Sequence, residues 1–113
     1  RWFKLRIVDY GEIRSCLEHC LFTEHARREM HSEPFGLIRV DEVLEAFNAG
    51  EIIEEYPDDQ PYPSCLVLGR TLMDRPLHIV CAPVSTERRL IVITTYQPDP
   101  VRWEADFKQR RSL

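Results

Sequence analysis

The stretch 75-RPLHIVCAP-83 decides how the rest of the chain is read. It is a hydrophobic run interrupted by a single histidine, and it reads as a buried β-strand. In a strand, successive side chains alternate between faces, so His78 shares one face with Val80 and Ala82. Leu77, Ile79 and Cys81 occupy the other. If helices cover the Leu77 face, His78 looks out from the open side of a sheet. Further on, RLIVITTY (89–96) forms a second such strand that ends in Thr94, Thr95 and Tyr96 and is stopped by PDP. Near-continuous hydrophobicity puts both strands at the centre of the sheet.

Outward from this pair, CLVLG (65–69) and EIIEEY (51–56) read as two more strands, separated by the proline-rich PDDQPYPS. The charges of EIIEEY place it nearer an edge. Upstream, VDEVLEAFNAG (40–50) has the helical period, with Val40, Val43, Leu44 and Phe47 as the buried stripe and Gly50 at the C-terminal cap. Thr23 caps a second helix, in which Ala26 and Met30 form an i,i+4 apolar pair. Asp9 caps a third, which puts Ile13 and Leu17 on one face together with Cys16 and Cys20. VRWEADFKQRR (101–111) offers a short final helix held by Val101, Trp103 and Phe107. Segregated helices and strands predict an α+β fold: N-terminal helices on a four-stranded, mostly antiparallel sheet, with a short C-terminal helix.

A length of 113 residues suits one domain over residues 1–113 with a single core. No apolar run approaches the roughly 18 residues of a membrane span, and no signal-peptide pattern precedes the fold, although the first residue is Arg rather than Met. Cysteines stand only at 16, 20, 65 and 81, too sparse for a disulfide framework, which points to a reducing cytoplasm. The net charge of −4 hides an asymmetry. Residues 1–59 carry 7 basic and 14 acidic side chains, whereas residues 60–113 carry 8 basic and 5 acidic. An anion is therefore to be sought on the second half.

Cys16, His19 and Cys20, with His25 nearby, invite a zinc reading. Adjacent residues 19 and 20 splay apart by about 100° on a helix, and no second cysteine pair follows at zinc-ribbon distance. No metal and no cofactor is expected. His78 and the strand end Thr94/Tyr96 instead converge with Arg70, which leaves the second strand where it turns toward the third. That set suits phosphodiester chemistry. An imidazole titrating near neutrality passes protons, a phenol orients or accepts one, and a guanidinium clamps phosphate in two-pronged fashion. The plainer alternative is a set of satisfied polar residues at strand ends.

The order of motifs adds a resemblance. Thr23-Glu24-His25-Ala26 opening a helix, then VDEVLEAFNAGEIIEEYPDD, PLHIVCAP and IVITTYQPDPVRWEADFKQRR, resembles a bacterial domain-of-unknown-function family grouped with the RelE/ParE-type toxins. The likeness runs from about residue 22 to residue 111, and the order of the short motifs is its specific part. It departs from the family pattern at Glu29, at PFGLI and in its acidic balance. The resemblance implies a RelE-like fold with a curved sheet whose helix-free face holds the active centre. It also implies a toxin-like endoribonuclease of a type II toxin–antitoxin pair, acting on RNA with a ribosome as one setting. The implied partner is a cognate antitoxin that covers the site, for which a small zinc-finger protein is a plausible form. Carried over by position, His25, His78 and Tyr96 are the family's helix, central-strand and terminal-strand residues; in the endoribonuclease reading Arg70 and Arg75 stabilise charge on the phosphate. The alternative is a non-catalytic RelE-like protein-binding module.

Three expectations follow for the structure and its variants. His78 and Tyr96 lie on a sheet face that the 40–49 helix does not cover. His25 comes within about 6 Å of one of them, two hydrogen-bond lengths. Replacing His78 or Tyr96 abolishes activity and leaves thermal stability little changed.

Overall fold

A computed structural model describes residues 7–112. In chain order the elements are α1 (Tyr10–Cys16), a 3-10 turn (Leu17–His19), β1 (Cys20–Phe22), α2 (Glu24–His31) and α3 (Val40–Phe47). Then come β2 (Glu51–Tyr56), β3 (Ser64–Arg70), β4 (Pro76–Val84), a 3-10 turn (Ser85–Glu87) and β5 (Arg89–Tyr96). The architecture is α+β, three helices with one sheet ordered β1-β5-β4-β3-β2. Three of the strand pairings are antiparallel and one, β1 with β5, is parallel.

Local chemistry sets the helix starts. Asp9 accepts from the Gly11 amide while Glu12 reaches back to the Asp9 amide, which makes a capping box for α1. Thr23 Oγ1 accepts from the Ala26 amide at 3.0 Å, so α2 begins where the sequence predicts. Ala26 and Met30 drop into one core with Ile13, Val43, Phe47, Leu77, Ile79, Cys81 and Val92. The Leu77 face of β4 is thus the helix-covered face, and β4 is the central strand with charged β2 at an edge.

The structure corrects the sequence reading in four places. The sheet has five strands rather than four, because the 3-10 turn ends the α1 region and Cys20 opens β1 beside β5. A strand of three residues shows no alternation by which to recognise it. The stripe of α3 is rotated: Val43, Ala46 and Phe47 are buried, while Val40 and Leu44 are 45% and 39% exposed. Asn48, not Gly50, caps α3. Residues 101–111 form no helix. They fold as turns closed by a bridge between Trp103 and Arg110. Asp99 and Asp106 side chains accept from the Val101 and Lys108 amides, and this local alternative to helix joins the burial of Trp103 to override a weak helical propensity.

At Gly69 the backbone of α3 approaches β3 closely. A Cβ built there would overlap the Ala46 carbonyl, a backbone atom that cannot swing aside, so Gly69 is what lets α3 lie flat on β3. Gly69→Ala is expected to lower stability by about 1–3 kcal/mol. An unchanged urea midpoint for that variant would refute the close approach.

Candidate functional site

The β4–β5 register sets His78 opposite Tyr96. Both point away from the helix-covered core: His78 by alternation from Leu77 and Ile79, and Tyr96 because a register shift opposite Val80 and Cys81 resets the phase that Leu90 and Val92 set in β5. His78 is nevertheless fully buried, and the cover is the C-terminal segment rather than a helix. The Trp103 ring meets the imidazole edge-on, 4.3 Å between centroids at 83°. His78 Nε2 lies 2.7 Å from the Phe107 carbonyl oxygen, and Nδ1 lies 3.2 Å from the Tyr96 hydroxyl. Thr95 Oγ1 donates to the His78 carbonyl at 2.8 Å and fixes the strand beneath the ring.

These partners settle the tautomer by elimination. A carbonyl only accepts, so Nε2–H donates to Phe107, and in the neutral ring Nδ1 is the acceptor of the Tyr96 O–H. Burial lowers the His78 pKa below its usual 6.5, more than the Phe107 hydrogen bond and the nearby Glu54 charge raise it, and keeps the ring neutral. Burial also raises the Tyr96 phenol. The result is a hydroxyl, an imidazole and a backbone carbonyl in line, with Tyr96 as the half-buried outer member.

Around this relay lies a second set of bonds. Arg110 grips Glu54 with both prongs, Nε to Oε2 at 3.1 Å and Nη2 to Oε1 at 3.0 Å. Tyr56 donates to Glu54 Oε1 at 2.6 Å, and the Arg110 guanidinium lies 4.6 Å from the Trp103 ring centre. Burial works against the Glu54 charge, but the Arg110 and Tyr56 hydrogen bonds outweigh it and hold the carboxyl below its usual range. Burial and the Glu54 charge push the Tyr56 phenol up. The sequence reading assigns no site role to Glu54, Tyr56 and Arg110, and it offers Trp103 and Phe107 only as apolar contacts of a final helix. The alternation of β2 pairs Glu54 with Tyr56 on one face, but nothing local reveals that residues 101–112 fold back over it.

The remaining expected residues are dispersed. Arg70 borders the site, its guanidinium 6.0 Å from the Phe107 ring centre, and among the described residues its side chain bonds to exposed Asp74. Arg75, expected on phosphate, is instead an internal tie. Its Nε donates to Gln97 at 2.7 Å and its Nη1 to the Leu37 carbonyl at 2.9 Å, while Nη2 reaches the Gly36 carbonyl. It also pairs with nearly buried Glu42 at 3.3 Å. With those bonds made, Arg75 has little left for a ligand. His25 is exposed on α2, whose buried Ala26 and Met30 lie on the opposite face of the sheet from His78. No hydrogen bond or ring contact joins it to His78 or Tyr96 among the described residues. The Cys16, His19, Cys20 and His25 set is broken up between the end of α1, the 3-10 turn, β1 and α2.

The neutral His78 has a consequence for stability. Below pH 6.5 the unfolded chain protonates this histidine while the folded chain, with its lowered pKa, does not. Stability is therefore complete above pH 6.5 and is lost as pH falls toward the folded pKa. Urea midpoints from pH 7.5 to 5 should fall, and less so for His78→Gln. Parallel curves for the two proteins would refute the neutral ring.

Residues 22–97 match the family described as "Domain of unknown function (DUF4258)". No curated protein and no solved structure matches the chain. No helix among the described residues is long and apolar enough to cross a membrane.

Proposed function

This chain belongs to the DUF4258 family, and on that premise we propose that it is a toxin-like endoribonuclease of RelE-like fold, working in the cytoplasm under a cognate antitoxin. The observation that carries the reading is the Tyr96–His78–Phe107 relay beside Arg110 and Arg70, on the sheet face that no helix covers. Tyr96 is the group that meets RNA. It takes the proton of a ribose 2′-hydroxyl as it passes its own proton to His78 Nδ1, and the imidazolium is held by the Phe107 carbonyl and the Glu54 charge. The 2′-oxygen attacks the adjacent phosphorus, the bond to the 5′-oxygen breaks, and that oxygen takes a proton from water. The hydroxide left behind takes the Tyr96 proton as His78 Nδ1 returns its own to the phenol. The products are a 2′,3′-cyclic phosphate and a 5′-hydroxyl. Arg110, 61% exposed at its side chain though paired with Glu54, and Arg70, 46% exposed, stabilise charge developing on the phosphate.

A test is induced expression with and without the neighbouring open reading frame, scored by growth arrest and RNA cleavage. Arrest that is relieved by the neighbour and lost with Tyr96→Phe supports the reading. Normal growth of cells that accumulate the folded protein counts against it. The complete burial of His78 favours a second reading, a non-catalytic RelE-like protein-binding module in which the relay simply anchors the C-terminal segment. In that case Tyr96→Phe changes stability and nothing else.

A further inference from the structure

On the helical side of the molecule, away from His78, a groove of about 250 Å³ runs between α2 and the start of α3. Buried Met30 and Ile38 form its floor, and Leu37 and Val40 stand 53% and 45% exposed along its lip. Arg27, His31 and Arg39 supply every polar side chain of its lining. Arg27 and His31 also line a wider depression of about 580 Å³ along α2, to which Arg28 adds a further cation and Glu24 a single carboxylate. This is a cationic, apolar-floored surface inside the half of the chain that is otherwise acidic, with 14 acidic side chains to 7 basic.

From this we infer that the α2–α3 groove docks an acidic segment of a partner protein that carries large aliphatic side chains. The occupant follows from charge and shape. Arg27 makes no ion pair among the described residues. Among the described residues Arg28 pairs with exposed Glu24 at 3.1 Å, and Arg39 with exposed Asp41 at 3.0 Å and, at the longer distance of 4.0 Å, with nearly buried Glu42. Such pairs contribute little, so a partner's carboxylates can replace them at small cost. The floor and lip are aliphatic, which suits Leu or Ile of a peptide. A nucleic acid would want aromatic faces on which to stack its bases, and the groove lining has none. Because α2 lies across the sheet from Tyr96, a segment held here leaves the relay open. The inference does not depend on catalysis.

The probe is a fluorescein-labelled amphipathic dodecapeptide of Glu and Leu, followed by anisotropy with the whole chain. Controls are the same peptide with Gln for Glu, a Lys-for-Glu version and a labelled single-stranded RNA dodecamer. The Glu/Leu peptide should bind at least tenfold more tightly than the Gln or Lys versions. It should lose at least tenfold affinity to the double variant Arg27→Glu/Arg39→Glu, and lose nothing to Arg88→Glu on the far turn. Both groove arginines are exposed, and circular dichroism checks that the variants fold. Absence of binding, equal binding of the Lys peptide, or an Arg88→Glu effect as large as the groove effect would overturn the inference. RNA binding that alone responds to the groove variant would overturn it in favour of a nucleic-acid surface.

Discussion

Tyr96→Phe is expected to lower RNA cleavage by about 10²- to 10⁴-fold, the usual contribution of a positioned proton-transfer group. The phenyl ring keeps the shape of the tyrosine and its place opposite His78, so only the hydroxyl is lost. That hydroxyl donates to His78 Nδ1 at 3.2 Å, and removing it leaves a buried acceptor unpaired at a cost of about 1 kcal/mol. A loss of that size leaves a stable domain largely folded, so unfolding cannot account for a hundredfold drop. Cleavage rates corrected for the folded fraction separate the two effects. A rate within threefold of the parent would remove Tyr96 from the chemistry.

Arg75→Ala should have the largest effect on stability, a loss of about 3 kcal/mol. The guanidinium joins four groups from distant parts of the chain: the Gly36 and Leu37 carbonyls, Glu42 and Gln97. Its side chain is 17% exposed and that of Glu42 is 10% exposed, so truncation leaves a nearly buried carboxylate with only the Arg39 amide at 3.0 Å and the more distant Arg39 guanidinium at 4.0 Å. Lys keeps the charge but not the planar fork, and Arg75→Lys should recover only part of the loss. The check is the urea midpoint of each variant. A midpoint unchanged in Arg75→Ala would show that the tie contributes nothing and that the arginine is free for a ligand.

The first prediction keeps the role that pattern suggests for Tyr96, whereas the second moves Arg75 from phosphate to an internal tie. Alternation in PLHIVCAP correctly puts His78 on the face opposite Leu77, Ile79 and Cys81, because which face a strand residue occupies is local information. What covers that face is not local. Trp103 and Phe107 arrive from 25 and 29 residues downstream, through turns that a helical reading of VRWEADFKQRR conceals. For the same reason His78→Ala, read from the strand as leaving stability little changed, is now expected to lower it, since its fully buried ring makes two hydrogen bonds. Arg75 and Arg110 look alike in sequence, each a cation beside a strand or turn. Only the fold shows that one is spent on backbone carbonyls, while the other lies over Trp103 and remains largely exposed.

The most direct test of the central claim is the chemistry of the ends that the purified protein leaves on RNA. Incubated in EDTA with a 5′-labelled RNA, alone and with ribosomes, the protein should produce fragments ending in 2′,3′-cyclic phosphate and 5′-hydroxyl. Those ends require 2′-hydroxyl attack, the step proposed for the Tyr96–His78 pair. Fragments with 3′-hydroxyl and 5′-phosphate ends, or intact RNA in both settings, would contradict the account.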